Sequence, residues 1–337
     1  MIDFRYHLVS IIAIFFALAA GIALGAGPLK EGVDQTLTDQ TSVLREENQQ
    51  LRDQVATLEG AADYRDAWVS AVAPQLIDGR LSGRRVVLVA LPGADTDQVA
   101  AVGETLGQSG ATVGATVTID ESWTDAGSAA VLDTLASELV SSGTTLPEGD
   151  GYDRGAAVLA GALLEPAAGS VAADSAEAPV EEPTGEPGTE PPPSDSGGDA
   201  ATAVLAAFTE AELISVEGEA APEADLAVLV AGPPFEDDDE LGRRNGAMVT
   251  LTTGFDAAGS GAVAAGPPSA AGETGVLAAI RGDGDAAELV STVDTASLPS
   301  GRIAVVYALE EQAQGGSGHY GAIGTTDGPL PAAAAEQ

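Results

Sequence analysis

Uncharged residues run without a break from Leu8 to Leu29. At about 1.5 Å of rise per residue, a helix of this length is long enough to cross the hydrocarbon core of a bilayer. The alternative is a cleaved signal peptide, for which the small residues around Gly25 would provide the cleavage site. The length of the run and the helix-forming sequence after it favour an uncleaved membrane anchor over residues 1–29, in contact with lipid through Leu8 to Leu29.

After the anchor, leucine recurs at every seventh position, at Leu37, Leu44, Leu51 and Leu58. With these leucines at the d positions of a heptad, Asn48 occupies an a position. This combination favours a parallel two-stranded coiled coil in fixed register. The alternative is a single amphipathic helix that packs its leucine stripe on the domain that follows. We expect a coiled-coil helix over residues 30–62 and a parallel homodimer formed through the four leucines.

The remaining pattern predicts one α/β domain over residues 80–330. An apolar, β-branched run over 84–91 predicts a buried strand, which is followed by an Ala-rich helix and a second strand over 112–119. A strand, helix and strand joined by short connections imply a parallel pair. Further helices are predicted over 129–142, 156–164 and 201–213, and further strands over 225–231, 248–252, 276–280 and 303–307. We therefore expect a mostly parallel sheet with flanking helices.

Residues 166–200 differ in composition from both flanks. They contain seven prolines and eight acidic residues, with no basic or aromatic residue. Such a composition cannot bury enough apolar surface to offset the entropy lost on folding, so we predict a disordered insertion in the α/β domain. The tail over 331–337 is also predicted to be disordered.

The chain carries 13 Lys and Arg against 52 Asp and Glu, a net charge of −39. This balance argues against a nucleic-acid partner, since such binding depends on clustered basic residues. The predicted strands are nearly uncharged, which places the acids on a solvated surface whose field can concentrate cations. The sequence has no cysteine, which excludes disulfides, thiolate metal sites and thiol catalysis.

Two motifs invite a functional interpretation. Residues 316–321 formally match G-x-G-x-x-G, but a dinucleotide fingerprint needs these glycines between a first strand and its helix, and this copy lies near the C-terminus. Residues 236–240, EDDDE, lack the alternating ligands and central glycine of a calcium loop and indicate a solvated acidic loop. The sequence contains no Gly-x-Ser-x-Gly elbow or other catalytic constellation, so we do not expect an enzyme, and we expect no bound cofactor.

The side chains that could bind copper are few enough to be considered one by one. Cu(I) prefers Cys and Met, and Cu(II) prefers His. The chain offers Met1, Met248, His7 and His319. Only His319 is expected in the exposed domain near a Gly-rich turn, where it could anchor copper ions together with carboxylates. Capping or packing is the alternative role for this side chain.

Taken together, the N-terminal FRYHLVSIIAIFFALAAGIALGAG, the leucine-heptad helix, the strand and turn VVLVALPGAD, and the C-terminal GRIAVVYALEEQ with GSGHYG resemble the actinobacterial mycobacterial copper transport protein B (MctB) family. The resemblance covers most of the chain outside residues 166–200. It implies a role in copper homeostasis, as a copper-resistance or efflux component of the envelope.

Sequence and resemblance together lead to one expectation. The chain is a membrane-anchored copper transport or copper homeostasis protein of the cell envelope, single-pass, with its bulk extracytoplasmic and without catalytic turnover. The alternative is an envelope scaffold or interaction protein that binds no metal.

Overall fold

A computed structural model describes residues 4–26, 28–140, 145–165, 196–218, 224–235 and 240–332, with backbone alone at 26, 28–42 and 196–197. The chain divides into two compact units, Met1–Arg65 and Asp66–Gln337. Parts of three predicted segments lie outside the described residues. These are residues 166–195 of the insertion predicted over 166–200, residues 333–337 of the tail predicted over 331–337, and residues 236–239 of the acidic run 236–240.

The first unit contains helix α1 (Phe4–Ala26) and most of helix α2 (Pro28–Ile77). Among the described residues, the segment Phe4–Gly25 is the one helix long and apolar enough to cross a membrane, and none of it is buried. The predicted apolar helix is therefore present. A signal sequence would pass the same test of length and composition, so the uncleaved anchor stays a prediction.

The leucine stripe of α2 is open to solvent. Leu44, Leu51 and Leu58 are 64%, 59% and 69% exposed, and the side chain of Leu37 lies outside those described. The helical part of the coiled-coil prediction is confirmed, because α2 runs without interruption through residues 30–62. The pairing of two such helices stays a prediction.

The second unit is built on one seven-stranded sheet with the order β3-β2-β1-β4-β5-β6-β7. All neighbouring strands are parallel except β3, which pairs antiparallel with β2 at one edge. The strands are β1 (Arg85–Ala90), β2 (Thr112–Ile119), β3 (Ile214–Glu217), β4 (Leu226–Val230), β5 (Ala262–Ala265), β6 (Ser291–Val293) and β7 (His319–Tyr320).

Helices cover both faces of the sheet. Successive residues of a strand point to opposite faces, so Val86 and Leu88 join one hydrophobic cluster and Val87 and Val89 join the other. The end of α2 packs on the first face with α3 and α10, and α4 to α9 pack on the second. The helices are α3 (Thr96–Gln108), α4 (Ser128–Leu139), α5 (Gly151–Leu163), α6 (Ser196–Glu210), α7 (Leu241–Ala258), α8 (Val276–Gly282), α9 (Gly284–Leu289) and α10 (Pro299–Gln312). The predicted α/β class with a mostly parallel sheet is confirmed.

Three predicted strands are wrong. Residues 248–252, 276–280 and 303–307 lie in α7, α8 and α10. In α10 every residue from Ile303 to Leu309 is buried, so its apolar run lacks the one-sided periodicity that marks a surface helix. The predicted insertion also ends too late, because α6 begins at Ser196.

The carboxyl group of Asp256, near the end of α7, accepts a hydrogen bond from the backbone N–H of Ala262 at 3.0 Å. Burial raises the pKa of Asp256 from 3.8 to about 6, and this hydrogen bond offsets only part of the rise. The folded state therefore binds a proton between these pH values that the unfolded state does not. The carboxylate costs stability above about pH 6, and the cost disappears as the pH falls toward 4.

Replacing Asp256 with Asn should stabilise the protein at about pH 8, because the amide oxygen keeps the Ala262 hydrogen bond without burying a charge. The pKa shift corresponds to about 3 kcal/mol, which partial solvent contact reduces to roughly 1–2 kcal/mol. Denaturant unfolding at several pH values measures the gain, which should shrink on acidification. The exposed control Glu288→Gln should change stability by less than about 0.5 kcal/mol. An equal gain at pH 8 and pH 4 would contradict the assignment.

Candidate functional site

His319 lies on β7, at the edge of the sheet opposite β3. Parallel pairing with β6 places Thr292 beside His319 and Val293 beside Tyr320. The Nδ1 atom of His319 lies 3.0 Å from the hydroxyl oxygen of Thr292. That hydroxyl also accepts a hydrogen bond of 2.8 Å from the Nε atom of Arg281. Because Nδ1 is engaged, Nε2 is the ring atom left for a ligand.

The environment of His319 keeps its ring neutral. Burial lowers the pKa of His319, and the positive charge of Arg281 lowers it further, while Asp327 acts in the opposite direction. Asp327 also accepts a 2.8 Å hydrogen bond from the backbone N–H of His319. A neutral imidazole retains the lone pair that a metal ion needs. The nearby guanidinium opposes any added positive charge, so tight cation binding is not favoured here.

A buried ion pair holds the segment around His319 in place. Arg281 donates to Asp294 at 3.1 Å, and the two side chains are 10% and 0% exposed. Asp294 also accepts from the backbone N–H groups of Ala322 and Ile323 at 2.7 and 3.1 Å. These bonds satisfy a carboxylate that would otherwise be very costly to bury. The pair therefore fixes the chain that follows β7.

Two glycines of the G-x-G-x-x-G match, Gly318 and Gly321, allow other side chains to approach the backbone closely. At Gly321, which has φ of +138°, a Cβ would lie 2.0 Å from Asp294 Oδ1. At Gly318, a Cβ would lie 2.2 Å from the hydroxyl of Tyr320. That hydroxyl donates to Glu311, and burial together with this bond raises the pKa of Tyr320. The segment joins a helix to a strand, the reverse of the order in a dinucleotide site.

The described residues contain no group of three or more His, Asp or Glu side chains that could hold a metal ion. His7 lies on the apolar helix α1, and Met248 is buried in α7. Asp294, the carboxylate nearest to Arg281, is committed to that ion pair. His319 thus remains a predicted copper ligand. The carboxylate that the described residues place beside it is that of Asp327, which accepts a hydrogen bond from the backbone N–H of His319.

In open α/β sheets, ligands commonly bind at the carboxyl edge, where the strand order reverses. Here the reversal lies between β1 and β4, and the turns that follow them are in close contact. A Cβ at Gly232 would lie 2.3 Å from the carbonyl carbon and oxygen of Gly93. The remaining cavity, beside Pro92 and Phe235, measures about 10 Å³, which is barely one water molecule. Among the described residues, the two turns thus nearly fill the position at which this architecture usually binds a ligand.

A larger cleft of about 600 Å³ lies along α7. Arg243 on its wall pairs with Glu240 at 2.7 Å and also donates to the carbonyl oxygen of Thr124 and, at 3.4 Å, to the hydroxyl of Tyr152. Its other polar lining includes Asp150, Asn245, Thr250 and Asp283. The lining contains no histidine or methionine, so the cleft lacks the ligands that copper prefers. Sequence reasoning missed this cleft because its walls come from distant helices.

Comparison with known proteins gives matches along nearly the whole chain. Residues 1–331 match the family described as "Copper transport outer membrane protein, MctB". The proteins named Copper transporter MctB in Mycobacterium tuberculosis and Mycobacterium bovis are each 31% identical over 328 residues, which cover 95% of this chain and 96% of theirs. The protein of the same name in Mycobacterium leprae is 27% identical over 326 residues, with the same coverage.

The close contact between the turns at Gly93 and Gly232 gives one prediction. Gly232→Ala should destabilise the second unit by about 2 kcal/mol or more, because the new methyl group meets backbone that cannot rotate away. Gly246→Ala is the matched control, since nothing lies within 4 Å of its Cβ position inside α7 and alanine favours a helix by up to about 1 kcal/mol. Thermal unfolding compares the two. Equal melting temperatures would show that the turns are not packed as described.

The buried ion pair between Arg281 and Asp294 gives another prediction. Asp294→Asn leaves the Arg281 guanidinium buried without its counter-charge and should cost about 3–5 kcal/mol. Hydrogen exchange at the amides of Ala322 and Ile323 should accelerate. Glu165→Gln breaks the exposed Arg85 pair and should cost less than about 1 kcal/mol. If the two substitutions prove equally mild, Asp294 does not hold the C-terminal segment.

Proposed function

The chain belongs to the MctB family of copper transport outer membrane proteins, and we propose that it acts in copper transport and copper homeostasis. In this proposal it is a component of the cell envelope, contributing to copper efflux and resistance without catalytic turnover. The observation that carries the proposal is the extent of the match, which runs through the apolar helix α1, the long helix α2 and the α/β unit. A fold alone would not support a function, since one α/β architecture serves many.

We propose that α1 attaches the chain to the membrane in a single-pass arrangement, with lipid contacts over Leu8 to Leu29. The length and composition of Phe4–Gly25, which are those of a membrane span, support this. The α/β unit is placed on the extracytoplasmic side, as is usual for a short N-terminal tail followed by an anchor and a large domain. An acidic domain on that side gathers cations by its field without binding them tightly.

We propose that copper, as the transported ion, makes a weak contact with His319. Support comes from the half-buried ring, whose lowered pKa leaves it unprotonated at neutral pH, and from Asp327 beside it. The charge of Arg281 limits the affinity. Weak binding suits a transported ion, because the ion has to leave the site as readily as it enters.

A deletion strain challenged with copper tests the function. Loss of the gene should lower the copper concentration that stops growth and raise cell-associated copper, and the wild-type chain should reverse both effects. His319→Ala should restore tolerance several-fold less well. His7→Ala removes the only other histidine and is the matched control, expected to complement fully. Thermal unfolding of the His319→Ala protein verifies that its fold is retained.

The outcomes separate two claims. If deletion leaves copper tolerance and copper content unchanged, copper transport is wrong and the envelope scaffold is the better function. If deletion has its effect but His319→Ala complements as well as wild type, transport stands and the contact at His319 is wrong.

A further inference from the structure

The stalk face of α2 consists of Leu44, Leu51, Val55 and Leu58. Each of these side chains is more than half exposed. They recur at heptad spacing along one side of the helix, so they form a continuous apolar stripe. Water contact over such a continuous apolar stripe is unfavourable. The stripe therefore needs a partner.

Charged residues flank the stalk face on both sides. With the leucines at d, Arg45, Arg52 and Glu59 occupy e positions on one flank, and Glu47 occupies a g position on the other. None of these four residues has an opposite charge three or four positions away, the spacing at which charges pair within a helix. By contrast, Gln49 and Asp53 on the outer side bond to each other at 2.9 Å. The flanking charges are thus free to pair with another chain.

We propose that a second copy of this chain covers the stalk face, parallel and in register, with Glu47 of each protomer paired to Arg52 of its partner. In a parallel two-stranded coil, a g residue lies beside the e residue five positions further along the other chain. Glu47 and Arg52 have that separation, so symmetry generates two ion pairs. They lie on either side of the Asn48 pair at the seam.

The opposite orientation is disfavoured by Asn48. An antiparallel coil would place Asn48 opposite leucine, leaving its amide without a partner. It would also set e positions against e positions and g positions against g positions, so Glu47 would not meet Arg52 of the partner. The buried amide and the Glu47–Arg52 pair therefore both favour the parallel form.

The assembly goes beyond copper transport and does not depend on it. Each dimer would carry two apolar α1 helices and two α/β units. Anchoring both chains in one membrane raises their effective concentration, so a short coil of modest affinity can hold the pair.

Crosslinking of the full-length chain in membranes tests the proposal. The sequence contains no cysteine, so one introduced thiol reports without interference. Val55→Cys lies at an a position and should form a disulfide-linked dimer on mild oxidation, because position 55 meets its counterpart only in the parallel, in-register coil. Asp53→Cys lies on the outer side and is the matched control, expected to crosslink several-fold less. Equal crosslinking at both positions, or none at Val55→Cys, would overturn the dimer.

Charge reversal then tests the pairing. In the Val55→Cys background, Glu47→Arg and Arg52→Glu should each lower the crosslinked fraction several-fold, because like charges meet. The double variant should recover the original level. In an antiparallel coil Glu47 and Arg52 do not face each other, so the double variant would not restore what either single change removes. Sedimentation of the detergent-solubilised chain should give two copies. A single copy or three copies, or a double variant no better than the single ones, would overturn the proposal.

Discussion

Burial of the parallel strands on both faces is the constraint on which the α/β unit depends. Every residue of β4, from Leu226 to Val230, is inaccessible to solvent, and β1 alternates its side chains between two separate hydrophobic clusters. Such strands cannot carry charge, and they require helices on both sides. Among the described residues, most acidic side chains consequently lie on helix surfaces and in loops. High net charge and a stable core coexist because the two occupy different layers.

The same principle explains why Asp294 is exceptional. It is a fully buried carboxylate, and it is tolerated because Arg281 and two backbone N–H groups neutralise and bond to it. Through this cluster the short strand β7 is added to the sheet, and His319 is brought beside Thr292. The candidate copper ligand is thus positioned by a structural ion pair, which also limits how strongly a cation can bind there.

The molecule offers copper few strong ligands, which constrains how a member of a copper transport family can act. Among the described residues, the position where α/β sheets usually hold ligands is nearly filled by contact between Gly93 and Gly232, and the cleft along α7 has the wrong donor set. The weak contact proposed at His319, together with the proposed membrane anchor, would suit passage of an ion better than its storage. In the proposed dimer, the apolar face of α2 would hold two copies of the chain together.

The sequence by itself determined the features that depend on local pattern. These are the apolar helix over Phe4–Gly25, the long α2 with its heptad leucines, strands β1, β2 and β4, and the α/β class. Tertiary structure alone decided the rest. The run at 303–307 is a helix that sequence could not distinguish from a strand, because burial of every residue from Ile303 to Leu309 erases the helical periodicity. The run at 276–280 is a helix of seven residues, which is too short to show a clear period. The role of Gly321 followed only from an atom distant in sequence, since the Asp294 carboxylate occupies the space a Cβ would need there.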